Sequence, residues 1–184
     1  MVMSKDVLFS LTKGGYAPQE EMLEVARKKG KLYIGIPKEM AFQENRVPLV
    51  PDAVALLVNN GHRIIVETGA GKAAHFEDTD YSEAGAEIVY SAKEVFKADI
   101  ILKIAPPTLD EIECMQTKQT LFSSLQLTVQ PEDFLKKLVA KKLNCVAYDM
   151  ITDDAGIFPV IRALGEIARG TSILVAAELL CNAN

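Results

Sequence analysis

The residues that could do chemistry stand where an apolar run ends in a loop. Lys31 to Pro51 reads KLYIGIPKEMAFQENRVPLVP. It begins as a strand over Leu32–Ile36, breaks at Pro37, and continues as a polar loop that delivers one arginine, Arg46. A guanidinium carried at a strand's carboxyl end suits the gripping of a small anion, because its planar fork matches a carboxylate. Lys103 lies in the apolar run DIILKI, where an ammonium needs either an anionic partner in a cleft or a route along its stem to the surface. Gln126 closes the run TLFSSLQL. It can hydrogen-bond a substrate, or it is a polar strand-end residue, but it cannot move protons near neutral pH. No Ser-His-Asp or Cys-His set is apparent, and no carboxylate pair stands out for acid–base work.

Other chemistry-bearing residues read more plainly. Gly69-Ala70-Gly71-Lys72-Ala73-Ala74 fits G-x-G-x-x-[GA] after a strand, yet the continuation His75-Phe76-Glu77-Asp78 is no apolar helix, so an ordinary turn is expected. Lys72 also lacks the Ser or Thr of a phosphate-binding loop. Cys114, Cys145 and Cys181 have no metal or C-x-x-C spacing and are expected to be reduced, buried fillers. His62 reads as a turn residue, and His75 follows a glycine turn where it could line a cleft.

The elements that must hold these residues alternate. Strands are expected at 32–36, 64–66, 87–90, 99–104, 120–127 and 144–150. Helices are expected at 52–60, 80–84, 92–97, 109–115, 132–142 and 163–181. Repeated strand–helix units imply an α/β fold: an open, mostly parallel sheet with helices on both faces and ligands at the carboxyl edge. Residues 1–30 read as a helical extension, with Pro18 in a first turn. The last helix, 163–184, reads as a connection cut in the middle, so the chain looks like a fragment.

Hydrophobic residues make up 49% and charged residues 24%, as in ordinary globular folds. The net charge of −5, with no basic stripe, argues against nucleic acid as a partner. No apolar run reaches the roughly 20 residues of a membrane helix. With no secretory leader in MVMSKDVLFSLTKGG, the cytoplasm is the expected location.

The motifs IGIPKE, ENRV, VP, GH, VETGAG, YSEAGAEIV, ADIILK, TLFSSLQL and GEIA follow one another in this order. Together, over about residues 31–184, they resemble the N-terminal, substrate-side part of the alanine dehydrogenase and nicotinamide nucleotide transhydrogenase family. The resemblance implies an NAD(P)-dependent oxidoreductase acting on a small carboxylate such as pyruvate or alanine. A separate Rossmann-type domain, absent from this chain, would hold NAD or NADP. Assembly into a homo-oligomer is expected, from apolar surface left near the final helix. Arg46 matches the family's carboxylate clamp. The family's carbonyl-polarising lysine falls at Ala105 and its acid–base histidine at Gln126, so no confident catalytic residue remains. Lys103, two residues before Ala105, could point the same way. A family serine near the cofactor pyrophosphate corresponds to Gly165. These departures lean towards transhydrogenase-like chemistry, towards a dehydrogenase of altered substrate, or towards a non-catalytic relative.

Overall fold

The architecture is that of a computed structural model, which describes residues 30–182. The helix expected around Pro18 lies outside the described residues. Six strands form one sheet: β1 (Tyr33–Ile36), β2 (Arg63–Glu67), β3 (Glu87–Val89), β4 (Ile100–Leu102), β5 (Thr120–Ser123) and β6 (Asn144–Ala147). The order is β3-β2-β1-β4-β5-β6, and every neighbouring pair is parallel. The chain runs outward in both directions from the middle. The order therefore reverses between β1 and β4, which opens a crevice at their carboxyl ends.

The helices are α1 (Pro51–Asn59), α2 (Asp78–Glu83), α3 (Ala92–Val95), α4 (Leu109–Cys114), α5 (Glu132–Lys141) and α6 (Pro159–Asn182). Strand side chains alternate between faces, and two cores result. Ile65, Ile101 and Leu121 pack with Val95 of α3, Ile112 of α4 and Phe134 and Leu138 of α5. On the other face Ile34, Ile36, Ile64 and Val66 pack with Val54 of α1 and Tyr81 of α2. The α/β fold with helices on both faces is thus present, and the sheet is parallel throughout.

Local sequence explains the element ends. α1 begins with Pro51 in its first turn, where a missing N–H costs nothing. Thr108 and Glu111 form a reciprocal cap on α4: the Glu111 amide donates to Thr108 Oγ1 (3.2 Å), and the Thr108 amide donates to a Glu111 carboxylate oxygen (2.7 Å). Gly35 in β1 lets α3 sit close on the sheet, since a Cβ there would lie 2.7 Å from the Val95 carbonyl oxygen.

Several expectations are corrected. β4 stops at Leu102 and β5 at Ser123, earlier than the apolar runs suggested, and 148–150 is a 3-10 turn rather than the end of β6. The last helix starts at Pro159, four residues before the expected start. The three cysteines are exposed rather than buried. Cys145 lies on the edge strand β6, and Cys181 on α6, which has no buried residue.

Candidate functional site: an arginine at the sheet crevice

The loop leaving β1 carries Arg46 to the carboxyl edge, as expected. There the guanidinium is already occupied. Its Nε donates to Glu44 Oε1 (2.7 Å) and its Nη2 to Glu44 Oε2 (2.6 Å), while the Arg46 amide donates to Glu44 Oε1 (3.1 Å). This is the two-pronged seat that an arginine gives any carboxylate. The hydrogen bonds from Arg46 hold the Glu44 carboxyl below its ordinary pKa and raise that of Arg46. The arginine side chain remains 54% exposed, so the contact is open to exchange.

Arg46 borders two cavities. One, of about 240 Å³, lies towards β2 and is lined also by Lys38, Glu39, Glu44 and Lys72. The other, of about 510 Å³, is mostly apolar and lies towards β4 and β5, between Leu49, Ile104, Phe122, Tyr148 and the start of α6 at Val160 and Leu164.

Lys103 is also in the lining of the larger cavity, but its charge meets a different fate. It is 1% exposed, and its Nζ contacts Glu111 Oε1 at 2.8 Å and Glu39 Oε2 at 3.2 Å. The Glu39 contact falls outside hydrogen-bond geometry, so Glu39 Oε2 is buried with no hydrogen-bond partner, while Oε1 accepts the Ile104 amide at 2.5 Å. The carboxylate partner expected for Lys103 is therefore supplied by the protein, twice over. An ammonium held by two internal carboxylates is committed to joining the β1 loop, β4 and α4. Tyr148 secures the same strand end by donating from its hydroxyl to the Ile104 carbonyl (2.6 Å). Burial raises the Tyr148 pKa above its ordinary value.

Ala105 is 8% exposed, and its carbonyl accepts the Ser123 hydroxyl at 2.8 Å. It does not share a strand with Lys103, because β4 has ended. Gln126 was expected at the end of a strand. Instead it is exposed in a left-handed turn (φ 47°), outside both cavities that Arg46 borders. Asp149 causes the bend by accepting the amides of Leu125 (3.3 Å) and Gln126 (3.0 Å). Gly165 lies within α6 with no atom near the position of a Cβ.

The Gly69–Ala74 turn does not build a dinucleotide fingerprint. It leads into a single 3-10 turn, Lys72–Ala74, and then into His75 in a left-handed conformation (φ 63°), so no helix N-terminus faces a pyrophosphate. Gly71 makes room for internal packing rather than for a ligand: a Cβ there would lie 2.6 Å from the Tyr81 ring and 2.8 Å from the Phe76 carbonyl oxygen. His62 behaves as a turn residue whose Nδ1 accepts the Leu32 amide (3.2 Å). His75 does line a cleft, one of about 590 Å³ between α1 and α2. Among the described residues there is no cluster of metal-ligating side chains, and no helix is long and apolar enough to cross a membrane.

Glu39, Glu44, Glu111 and Lys72 were not identified as site residues from the sequence. Glu44 stands two residues before Arg46 in one loop, so its pairing had a local signal. Thr108-x-x-Glu111 is a readable cap signature, but the second bond of Glu111, to Lys103, has none.

The chain is 35% identical over 149 residues to an alanine dehydrogenase of Bacillus subtilis, covering 81% of this chain and 39% of that protein. It is 37% identical over 149 residues to one of Staphylococcus saprophyticus, covering 81% and 40%. The chain spans about two fifths of the length of these curated relatives. Among solved structures, an L-alanine dehydrogenase superposes with TM-score 0.67 at 37% identity, over 70% of this chain and 35% of that one. A transhydrogenase from Sinorhizobium meliloti superposes with TM-score 0.61 at 26% identity, over 64% and 35%. Residues 35–168 match the family model described as alanine dehydrogenase/PNT, N-terminal domain, and the chain belongs to that family.

Proposed function

We propose that this chain supplies the acid-binding half of an NAD- or NADP-dependent oxidoreductase of the alanine dehydrogenase type, acting on a small 2-oxo or 2-amino acid such as pyruvate or alanine. The observation that carries the reading is the Arg46 fork, placed beside the β1–β4 crevice and already shaped around a carboxylate. In binding, the substrate carboxylate takes the two donors that Glu44 now holds. The apolar cavity on the β4–β5 side then keeps water from the 2-oxo or 2-amino carbon. The nucleotide would be held by residues other than those described. A cytoplasmic, self-associating protein belongs to the same reading, supported by the apolar residues displayed on α6, where Ile173 and Leu174 are each 71% exposed.

A calorimetric titration with pyruvate tests the clamp. Wild type is expected to bind, and Arg46→Ala to lose at least about tenfold in affinity, the scale of a charge-assisted hydrogen bond. Equal binding by the two would remove Arg46 from the site.

A second reading, transhydrogenase-type chemistry, is favoured by what stands at 105 and 126. A buried methyl group and an exposed amide provide neither a carbonyl-polarising cation nor a proton donor, each worth orders of magnitude in reductive amination. Hydride exchange between nucleotides needs neither. Consumption of NADH with pyruvate and ammonia by a protein carrying this domain together with its nucleotide-binding part selects the first reading. Exchange between two nucleotides without the acid selects the second.

A further inference from the structure

The smaller cavity beside Arg46 has two lysines in its lining besides the guanidinium. Its charged lining is Lys38, Glu39, Glu44, Arg46 and Lys72. Both carboxylates are committed, Glu39 to the Ile104 amide and Lys103, Glu44 to the Arg46 fork. The side chains of Lys38 and Lys72 have no ion pair among the described residues. Lys38 gives only its backbone amide, to Glu67 (2.8 Å). The rest of the wall, Gly69, Ala70 and Ala73, is low. Two lysines without an ion pair among the described residues therefore line the same cavity as a guanidinium that already seats a carboxylate.

Building on the reading of Arg46 as the acid clamp, we propose that this cavity is a second anion subsite and that the ligand is a short 2-oxo dicarboxylate. One carboxylate sits on the Arg46 fork in place of that of Glu44, and the other lies between Lys38 and Lys72. The bidentate Glu44 contact shows that the fork accepts a planar carboxylate. Lysines, as point charges on flexible stems, accept the second without fixing its plane. A volume of about 240 Å³ suits an acid of four or five carbons and is too small for a nucleotide. A monocarboxylate would leave both ammoniums facing water.

The test is calorimetry on the 184-residue chain with 2-oxoglutarate, with 2-oxobutyrate (the same acid without its distal carboxylate) and with inorganic phosphate. 2-Oxoglutarate is expected to bind about tenfold more tightly than 2-oxobutyrate, as an added charge-assisted hydrogen bond allows. The double variant Lys38→Gln/Lys72→Gln is expected to abolish this preference and leave 2-oxobutyrate affinity unchanged. Both lysines are exposed, and unchanged circular dichroism confirms that the variant folds. Equal wild-type affinity for the two acids overturns the proposal. So does equal weakening of both acids in the lysine variant, which would mean that the lysines only receive the displaced Glu44. Competition by phosphate as strong as that of 2-oxoglutarate also overturns it, leaving a general anion hole. Arg46→Gln separates the two readings. If it weakens 2-oxobutyrate binding while wild type shows no diacid preference, the clamp stands and the second subsite falls. If it weakens neither acid, the clamp reading falls, and this proposal with it.

Discussion

Arg46 and Lys103 stand at the same edge of one sheet, and each is paired with glutamate, yet the two pairings differ in kind. Arg46 is on a loop, half exposed, and its partner is two residues away in the same loop. Exchanging that partner for a ligand disturbs no other element. Lys103 is buried, and its partners come from the β1 loop and from α4, so its charge fastens three parts of the chain. A cation at a carboxyl edge stays available to a ligand when its counter-charge is local and replaceable, as proposed for Arg46. It becomes a structural fastening when its counter-charges are distant and dry. A tyrosine hydroxyl supports each arrangement: Tyr81 donates to the Leu49 carbonyl (2.8 Å) behind Arg46, and Tyr148 to the Ile104 carbonyl beside Lys103.

The contrast breaks most sharply at Lys103. Lys103→Met leaves Glu39 and Glu111 as uncompensated buried carboxylates and is expected to destabilise the fold by about 3–5 kcal/mol. Denaturant unfolding measures this, and a loss under ~1 kcal/mol would erase the distinction from Arg46. Next in size is Tyr81→Phe, which removes a half-buried hydrogen bond and is expected to cost about 1 kcal/mol. It also carries a pH signature. Burial, aided by the charge of Asp80, pushes the Tyr81 pKa up to about 12. The folded state therefore keeps a proton that the unfolded chain releases near pH 10, so stability falls as pH rises from 10 to 12. The phenylalanine variant is expected to lose that part of the slope, which unfolding curves at pH 9, 10 and 11 would reveal.

Glu44→Gln is of similar size. Arg46 is half exposed but the Glu44 side chain is mostly covered, so the pair is only partly screened and its loss is expected to cost about 1 kcal/mol. Removal of the internal competitor should tighten pyruvate binding by up to about fivefold, the same energy read as affinity. Weaker pyruvate binding in this variant would make Glu44 a helper of the site rather than its occupant. The smallest effect is expected at Gln126. Its left-handed backbone strains a residue with a Cβ, so Gln126→Gly should stabilise the fold by a few tenths of a kcal/mol up to about 1, with no effect on acid binding in calorimetry.

How much of this was legible beforehand depends on how far apart the deciding residues lie. Alternating strand and helix patterns located the six strands and six α-helices of the described residues, though not the two 3-10 turns, and the carboxyl edge followed from right-handed crossovers. The early end of β5 did not follow, because TLFSSLQL contains no Gly or Pro to mark a stop and the bend depends on Asp149, 23 residues beyond Gln126. The cysteines were misjudged for a related reason: small apolar residues look alike in sequence whether they lie on an inner strand or, like Cys145, on the sheet's edge.

By itself the sequence determined the parallel α/β sheet and the delivery of Arg46 to its rim. Those depend on periodicity and on loop position, both of which are local. Only the tertiary structure decided which cation is free and which is spent. Glu39 and Lys103 are 64 residues apart, and Lys38 and Lys72 are 34 apart, so whether charges meet in a dry interior or in an open cavity is set by how the strands line up rather than by any neighbouring residue.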